Sequence, residues 1–163
     1  VKFKIFQFSR SQGFTLIELI MVIVVLGILA ISAMPKFFNI STFEQRGFFD
    51  DTLNAIRYAQ KLAVATNCNV QVSIATNQFE LKRPSATDRS QCRSTTSSDF
   101  TQSVMRPGSG ESSYQGSLSG VSLTSATLYF SAKGQASADI NIDIGTRRIT
   151  VVSSTGFVYD STP

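Results

Sequence analysis

Residues 14–34 form a run of 21 in which only Glu18 is charged, and a short basic stretch ending in Gly13 precedes it. As a helix, at about 1.5 Å per residue, this run spans about 30 Å, the thickness of a bilayer hydrocarbon core. Many of its residues are β-branched, yet in lipid only a helix satisfies every backbone group. An ordinary secretory signal places its apolar stretch before a small-residue cleavage site. Here the small residue, Gly13, comes first. Cutting after Gly13 removes Lys2, Lys4 and Arg10 and leaves the whole apolar helix on the mature protein. Phe14 then carries a free amine, and Glu18 is the fifth residue.

A carboxylate in the middle of a membrane helix costs roughly 2.5–3.5 kcal/mol on insertion scales, so it usually has a partner. Glu18 lies close to the new terminus, near an interface, which lowers that cost and lets it favour the helix N-terminus through the dipole. Two readings stand. Glu18 pairs with the Phe14 α-amine of a neighbouring subunit, or it is an interfacial acid that stays hydrated.

The chain has 163 residues, room for one domain beyond the helix. Its net charge of +4 is carried largely by the leader, and the rest has 12 basic against 11 acidic side chains. That balance is no nucleic-acid or membrane-surface signature. The leader's charge favours a cytoplasmic N-terminus, which puts residues 67–163 outside the cytoplasm. The chain has no histidine. This removes Ser-His-Asp and Cys-His catalysis and histidine metal sites. Glu18, Glu44, Glu80 and Glu111 are scattered, and Gly108-Ser109-Gly110 opens no helical pattern, so it reads as loop. We expect no enzyme, no cofactor and no metal. Cys68 and Cys92 fall in the exported part. An even count in an oxidising compartment favours a disulfide over two free thiols. It would close a loop of about 25 residues and stabilise by roughly 3 kcal/mol.

Pro35 lacks an N–H and clashes with the preceding turn, so a helix kink is expected there. Phe37, Phe38, Ile40, Phe43, Phe48 and Phe49 follow as an aromatic-rich stretch broken by Gly47. It can anchor at an interface, touch the globular domain or contact other subunits. From Phe49, the residues Leu53, Ile56, Ala59 and Ala63 keep helical spacing, with Asp50, Asn54, Arg57 and Lys61 largely opposite, as far as Asn67. After Cys68 the period becomes two. Val70, Val72 and Ile74, a turn at Thr76-Asn77-Gln78, then Phe79 and Leu81 read as a hairpin. Residues 82–120 are Ser/Thr/Gly-rich, with a short strand expected around Phe100, Val104 and Met105. The segment is either a functional loop or a poorly packed meander. Val121, Leu123, Leu128, Phe130, the alternating Ile140, Ile142 and Ile144, then Ile149 and Val151, then Phe157 and Tyr159 read as an antiparallel meander with one buried face. Lys133-Gly134, the stretch from Gly145 to Arg148, and Ser154-Thr155-Gly156 supply its turns.

The string Gly13-Phe14-Thr15-Leu16-Ile17-Glu18-Leu19, with the apolar run behind it and Pro35 22 residues into the mature chain, resembles the class III signal of type IV prepilins and pseudopilins. The resemblance implies cleavage between Gly13 and Phe14 by prepilin peptidase, N-methylation of Phe14, and packing of the apolar helix with other pilins in a filament core. It implies an α+β fold. A long kinked N-terminal helix, half transmembrane and half amphipathic, packs on an antiparallel β-sheet domain. The parts are a cleaved leader at 1–13, the pilin helix at 14–66 with 14–34 transmembrane, and a periplasmic β-rich domain at 67–163. The stretch from Leu53 to Val64 with Val70-Gln71-Val72 resembles the helix–strand junction of H-type pseudopilins and FimT-like subunits. The terminal strands, Leu128-Tyr129-Phe130 and Ile149-Thr150-Val151, are similar to theirs. The run from Phe43 to Asp50 resembles minor pilins of the mannose-sensitive haemagglutinin (MSHA) pilus.

The leading expectation is a minor pilin that initiates or caps an adhesion pilus. It would sit in the inner membrane as a single-pass protein, work with the assembly platform there and move to the cell surface. The alternatives are an H-type minor pseudopilin of a type II secretion system and a DNA-binding minor pilin for uptake. The last rests on Arg83, Arg89, Arg93 and Arg106 around Cys92 and on Arg147-Arg148, since phosphate binding needs such clusters. Asp88, Asp99, Glu111 and Asp160 are interspersed with them and weigh against it.

Overall fold

The computed structural model describes residues 13–37, 40–85 and 89–163, with side chains apart from those of 31–41, 89 and 90. The basic leader, Phe38 and Asp88 lie outside the described residues. The chain divides into two units, Val1–Ile40 and Ser41–Pro163.

The first unit holds α1, Leu16–Phe37. Its β-branched side chains do not prevent a helix, and the backbone stays helical through Pro35 to Phe37. Its large apolar side chains from Leu16 to Leu29 are all exposed. Among the described residues no helix is long and apolar enough to cross a membrane.

In the second unit α2, Ile40–Thr66, packs over two sheets. Phe49, Leu53, Ile56, Ala59 and Ala63 are buried as their spacing requires, and Asp50, Asn54, Arg57 and Lys61 are exposed. The aromatic stretch before them divides: Phe48 and Phe49 enter the core, while Phe43 is 79% exposed. The helix ends where Asn67 takes a left-handed φ of 56°, a conformation that asparagine tolerates at helix C-termini.

The first sheet is built on the hairpin of β1, Val70–Ala75, and β2, Gln78–Arg83, turning at Thr76-Asn77. Val70, Val72, Ile74, Phe79 and Leu81 all point into the core. The described residues of 82–120 carry short elements and no meander, since their two short strands pair with β2 rather than with each other. Two 3₁₀ turns, Arg89–Arg93 and Ser97–Asp99, lead to β3, Gln102–Ser103, and then β4, Gln115–Ser117. Both short strands line the same outer edge of β2. Between them Leu81 donates to Tyr114 O at 3.0 Å and accepts from Val104 N at 3.1 Å. Phe100 and Val104 are buried, but Met105 is 64% exposed.

The C-terminal meander is shorter than its alternation suggests. β5, Ala126–Phe130, leaves it and pairs antiparallel with β1, setting Phe130 opposite Val70 and Leu128 opposite Val72. Alternation reports which face a strand buries, not which neighbour it takes. The second sheet is β6, Ile140–Ile144, β7, Arg147–Val151, and β8, Val158–Asp160. Arg147 and Arg148 belong to β7 rather than to the turn, which needs only Gly145-Thr146. In β8 the buried residue is Val158, opposite Val151, while Phe157 and Tyr159 face out. A one-residue register difference reverses every side chain of a strand.

Polar groups on α2 hold both sheets. Gln60 Nε2 donates to Gly134 O and Thr155 O, each at 3.0 Å. These turns meet so closely that a Cβ on Gly156, whose φ is +66°, would collide with the Gly134 carbonyl. Asp51 takes the guanidinium of Arg106 and, at 3.3 Å, the hydroxyl of Tyr114. Arg106 also lies 4.7 Å from the Tyr114 ring centroid. The hydrogen bond to Asp51 holds the Arg106 guanidinium above its ordinary pKa, and burial raises that of Tyr114. Both side chains donate to Asp51, which latches the loop to the helix.

Candidate processing and assembly site

The start of α1 is built from its own sequence. Thr15 is the residue before the helix and Glu18 lies in its first turn. Thr15 Oγ1 accepts the backbone N–H of Glu18 at 3.3 Å, and Thr15 O accepts that of Leu19 at 3.2 Å. This is half of a capping box, in which a hydroxyl and an acid three residues apart satisfy the free N–H groups of a helix start. The pattern Thr15-Leu16-Ile17-Glu18 could have revealed Thr15 from sequence. Attention to the acid alone missed it.

The cap fixes where the helix begins, and so what precedes it. Gly13 and Phe14 lie outside regular structure, and Phe14 is 80% exposed. A Cβ placed on Gly13 would meet nothing within 4 Å. Among the described residues nothing demands glycine there. Glu18 is exposed and its carboxylate has no partner among the described residues. The side chain of Pro35 lies outside the described ones.

Cys68 and Cys92 form a disulfide, with Cα atoms 4.6 Å apart. It docks the first 3₁₀ turn against the junction of α2 and β1. Asn69 N donates to Cys92 O at 2.7 Å, Asn69 Nδ2 to Ser94 O at 2.9 Å, and Arg93 to Asn67 Oδ1 at 3.3 Å. Asn69 and Gln71, nearly buried, are polar because they hold this loop.

The arginines do not converge. Arg106 pairs with Asp51 and Glu111, Arg148 with Asp143 at 2.6 Å, and Arg147 with Asp160 at 2.6 Å and Asp50 at 3.3 Å. Arg147 also covers the Phe49 ring at 3.7 Å. Each is neutralised within the domain. Arg83 is exposed, and the side chain of Arg89 lies outside the described ones. Among the described residues no group of three or more Cys, Asp or Glu could hold a metal ion.

Residues 8–34 match the family model of the prokaryotic N-terminal methylation motif. Over 54 residues the chain is 43% identical to the type IV narrow pilus major component PilA5 of Thermus thermophilus, a match covering 33% of this chain and 47% of that protein. The chain thus spans about half the length of the curated relative it matches. Its fold is similar to that of the minor pseudopilin EpsH from the type 2 secretion system of Vibrio cholerae. The TM-score is 0.51 at 12% identity, over 75% of this chain and 96% of that one. At such identity the likeness is one of fold alone. A capped apolar helix thus starts within the residues that match the methylation motif, and the helix-and-sheet domain that follows it in sequence is similar in fold to a minor pseudopilin.

Proposed function

We propose that the chain is a minor structural subunit of a type IV filament, an initiating subunit of an MSHA-like adhesion pilus in the role of its minor pilin C. Prepilin peptidase cuts between Gly13 and Phe14, and Phe14 is N-methylated. Residues 14–34 hold the subunit in the inner membrane as a single pass, with the β-rich domain in the periplasm, until the assembly platform passes it into the filament. Its partners are other pilins and minor pilins, and it carries no catalytic activity. The observation that carries this reading is α1: a capped helix whose large apolar side chains from Leu16 to Leu29 are all exposed, with one carboxylate that has no partner among the described residues. Such a helix needs lipid or other helices around it. A Glu18 of this kind pairs with the Phe14 amine of a neighbour.

The fold likeness to EpsH favours a second reading, a minor pseudopilin of a type II secretion system. The neutralised arginines count against a third, DNA binding for uptake. Deleting the gene separates the first two. Loss of surface fibres, with the main pilin retained in the inner membrane, is the expected result. Intact fibres with lost protein secretion would replace the first reading by the second. Abundance equal to the main pilin in sheared fibres would overturn the minor role.

A further inference from the structure

The second sheet ends in an uncovered strand, and its hydrogen bonds say which groups face out. Val152 N–H donates to Phe157 O and Ser161 N–H to Arg148 O, each at 2.9 Å. With Thr150 opposite Tyr159, the odd-numbered residues of β8 bond to β7. The N–H and C=O of Val158 and Asp160 therefore point away from the sheet. The longer strands β2, β5 and β6 are lined on their outer sides. β3 and β4 line β2, Ser137 bonds Tyr129 O of β5, and Thr124 bonds Asp143 O of β6. At β8 only the Val158 carbonyl is taken, by Arg57 Nε at 3.1 Å. The Val158 N–H and both backbone groups of Asp160 have no partner among the described residues. Phe157 and Tyr159 stand beside them, stacked with ring centroids 5.4 Å apart and 60% and 36% exposed.

We propose that this edge pairs with β8 of a second copy, antiparallel about a two-fold axis at Tyr159. The edge is self-complementary in that register. Val158 of each copy lies opposite Asp160 of the other, and the outward N–H and C=O groups bond one another across the axis. Tyr159 meets its own counterpart in a non-hydrogen-bonded pair, with Cα atoms about 4.5 Å apart, where aromatic cross-strand pairs stabilise. The charges also match. Asp160 projects to the α2 side, where it bonds Arg147. Pairing would bring it beside the other copy's Arg57, which donates to the Val158 carbonyl and has no carboxylate partner among the described residues. One short strand pair buries less than the ~1,200 Å² of a stable complex. The association is therefore weak and rises with local concentration, as in a membrane or at a filament tip.

Cysteine cross-linking of the full-length chain in detergent tests this. Under mild oxidation Tyr159→Cys should give a disulfide-linked dimer whose yield rises with protein concentration. Phe157→Cys is more exposed but lies opposite Ser161 of the second copy, so it should give at least about tenfold less, because a disulfide needs Cα atoms within about 7 Å. Adding Arg57→Glu to Tyr159→Cys should lower the dimer yield, with circular dichroism and the intact Cys68–Cys92 bridge reporting that the fold is kept. Equal cross-linking at both positions, monomer at every concentration, or an unchanged yield in a folded Arg57→Glu variant would each overturn the proposal.

Discussion

From Leu16 to Leu29 every large apolar side chain of α1 is exposed, whereas α2 hides Phe49, Ile56, Ala59 and Ala63 entirely. The two helices are of similar length, 22 and 27 residues. They differ in where their partners are. The apolar stripe of α2 is satisfied by two sheets of the same chain. The large apolar side chains of α1 from Leu16 to Leu29 stay exposed among the described residues. Changes in α1 should therefore alter what the protein joins, and changes in α2 should alter whether the domain holds together.

The sharpest separation comes from Glu18→Ala. It removes a charge that no group among the described residues uses, so the domain should be as stable as before and the leader should still be cut. Entry into filaments should be lost almost completely, because an unpaired amine is left in a low-dielectric core. Immunoblots of sheared fibres, with mass spectrometry of the cell-associated protein, check this. Normal incorporation would show that Glu18 is a hydrated interfacial acid. An N-terminus elsewhere than a methylated Phe14 would refute the processing itself.

Next in size are the core side chains of α2. Ile56→Ala should destabilise the domain by about 2–5 kcal/mol, the range for emptying a packed site. Ile23→Ala in α1 should leave its urea midpoint unchanged. A shared shift would mean that the two helices are not independent. Slightly smaller is the loss of the bridge at the far end of α2. Cys92→Ser should cost about 2–4 kcal/mol, because the unfolded chain regains loop freedom. Deuterium exchange should show the 3₁₀ turns and the Asn69 amide loosening first.

The smallest effect is acid sensitivity in the sheet that α2 carries. Bonds from the Thr162 hydroxyl and N–H, with help from Arg147, hold Asp160 down at about 2. Ser153 lowers Asp139, and Arg148 lowers Asp143. A carboxylate with a depressed folded pKa stabilises above its ordinary value, and that contribution fades as pH falls through the folded one. Stability should be level above about pH 4 and decline toward about pH 2, with β6 to β8 exchanging before β1 and β2. These groups are exposed, so the change is modest. Exchange that begins in β1 and β2 would contradict the assignment.

Much of this protein was legible as a string. The match to the methylation motif lies in the linear order of residues 8–34, and Gly13 has nothing within 4 Å of a would-be Cβ among the described residues. The spacing that buries Phe49, Leu53, Ile56, Ala59 and Ala63 was also plain, as was the hairpin of Val70 to Leu81, since helix and strand periods are local properties. Thr15 was visible in principle, three residues before Glu18. Other features depended on neighbours far away in sequence. That β5 crosses to β1, that Met105 is left outside while Val104 enters, and that Val158 rather than Phe157 or Tyr159 faces the core were decided by pairing across the sheets. So was the fate of the charges. Arg106 and Arg147 look like a basic surface in sequence, and only folding brings Asp51, Asp50 and Asp160 against them. Sequence alone determined the helices, the faces of most strands and the match to the methylation motif, because periodicity and motifs span a few residues. Strand order, the uncovered β8 edge and the neutralisation of the arginines belong to the tertiary structure, because each is set by contacts between residues tens of positions apart.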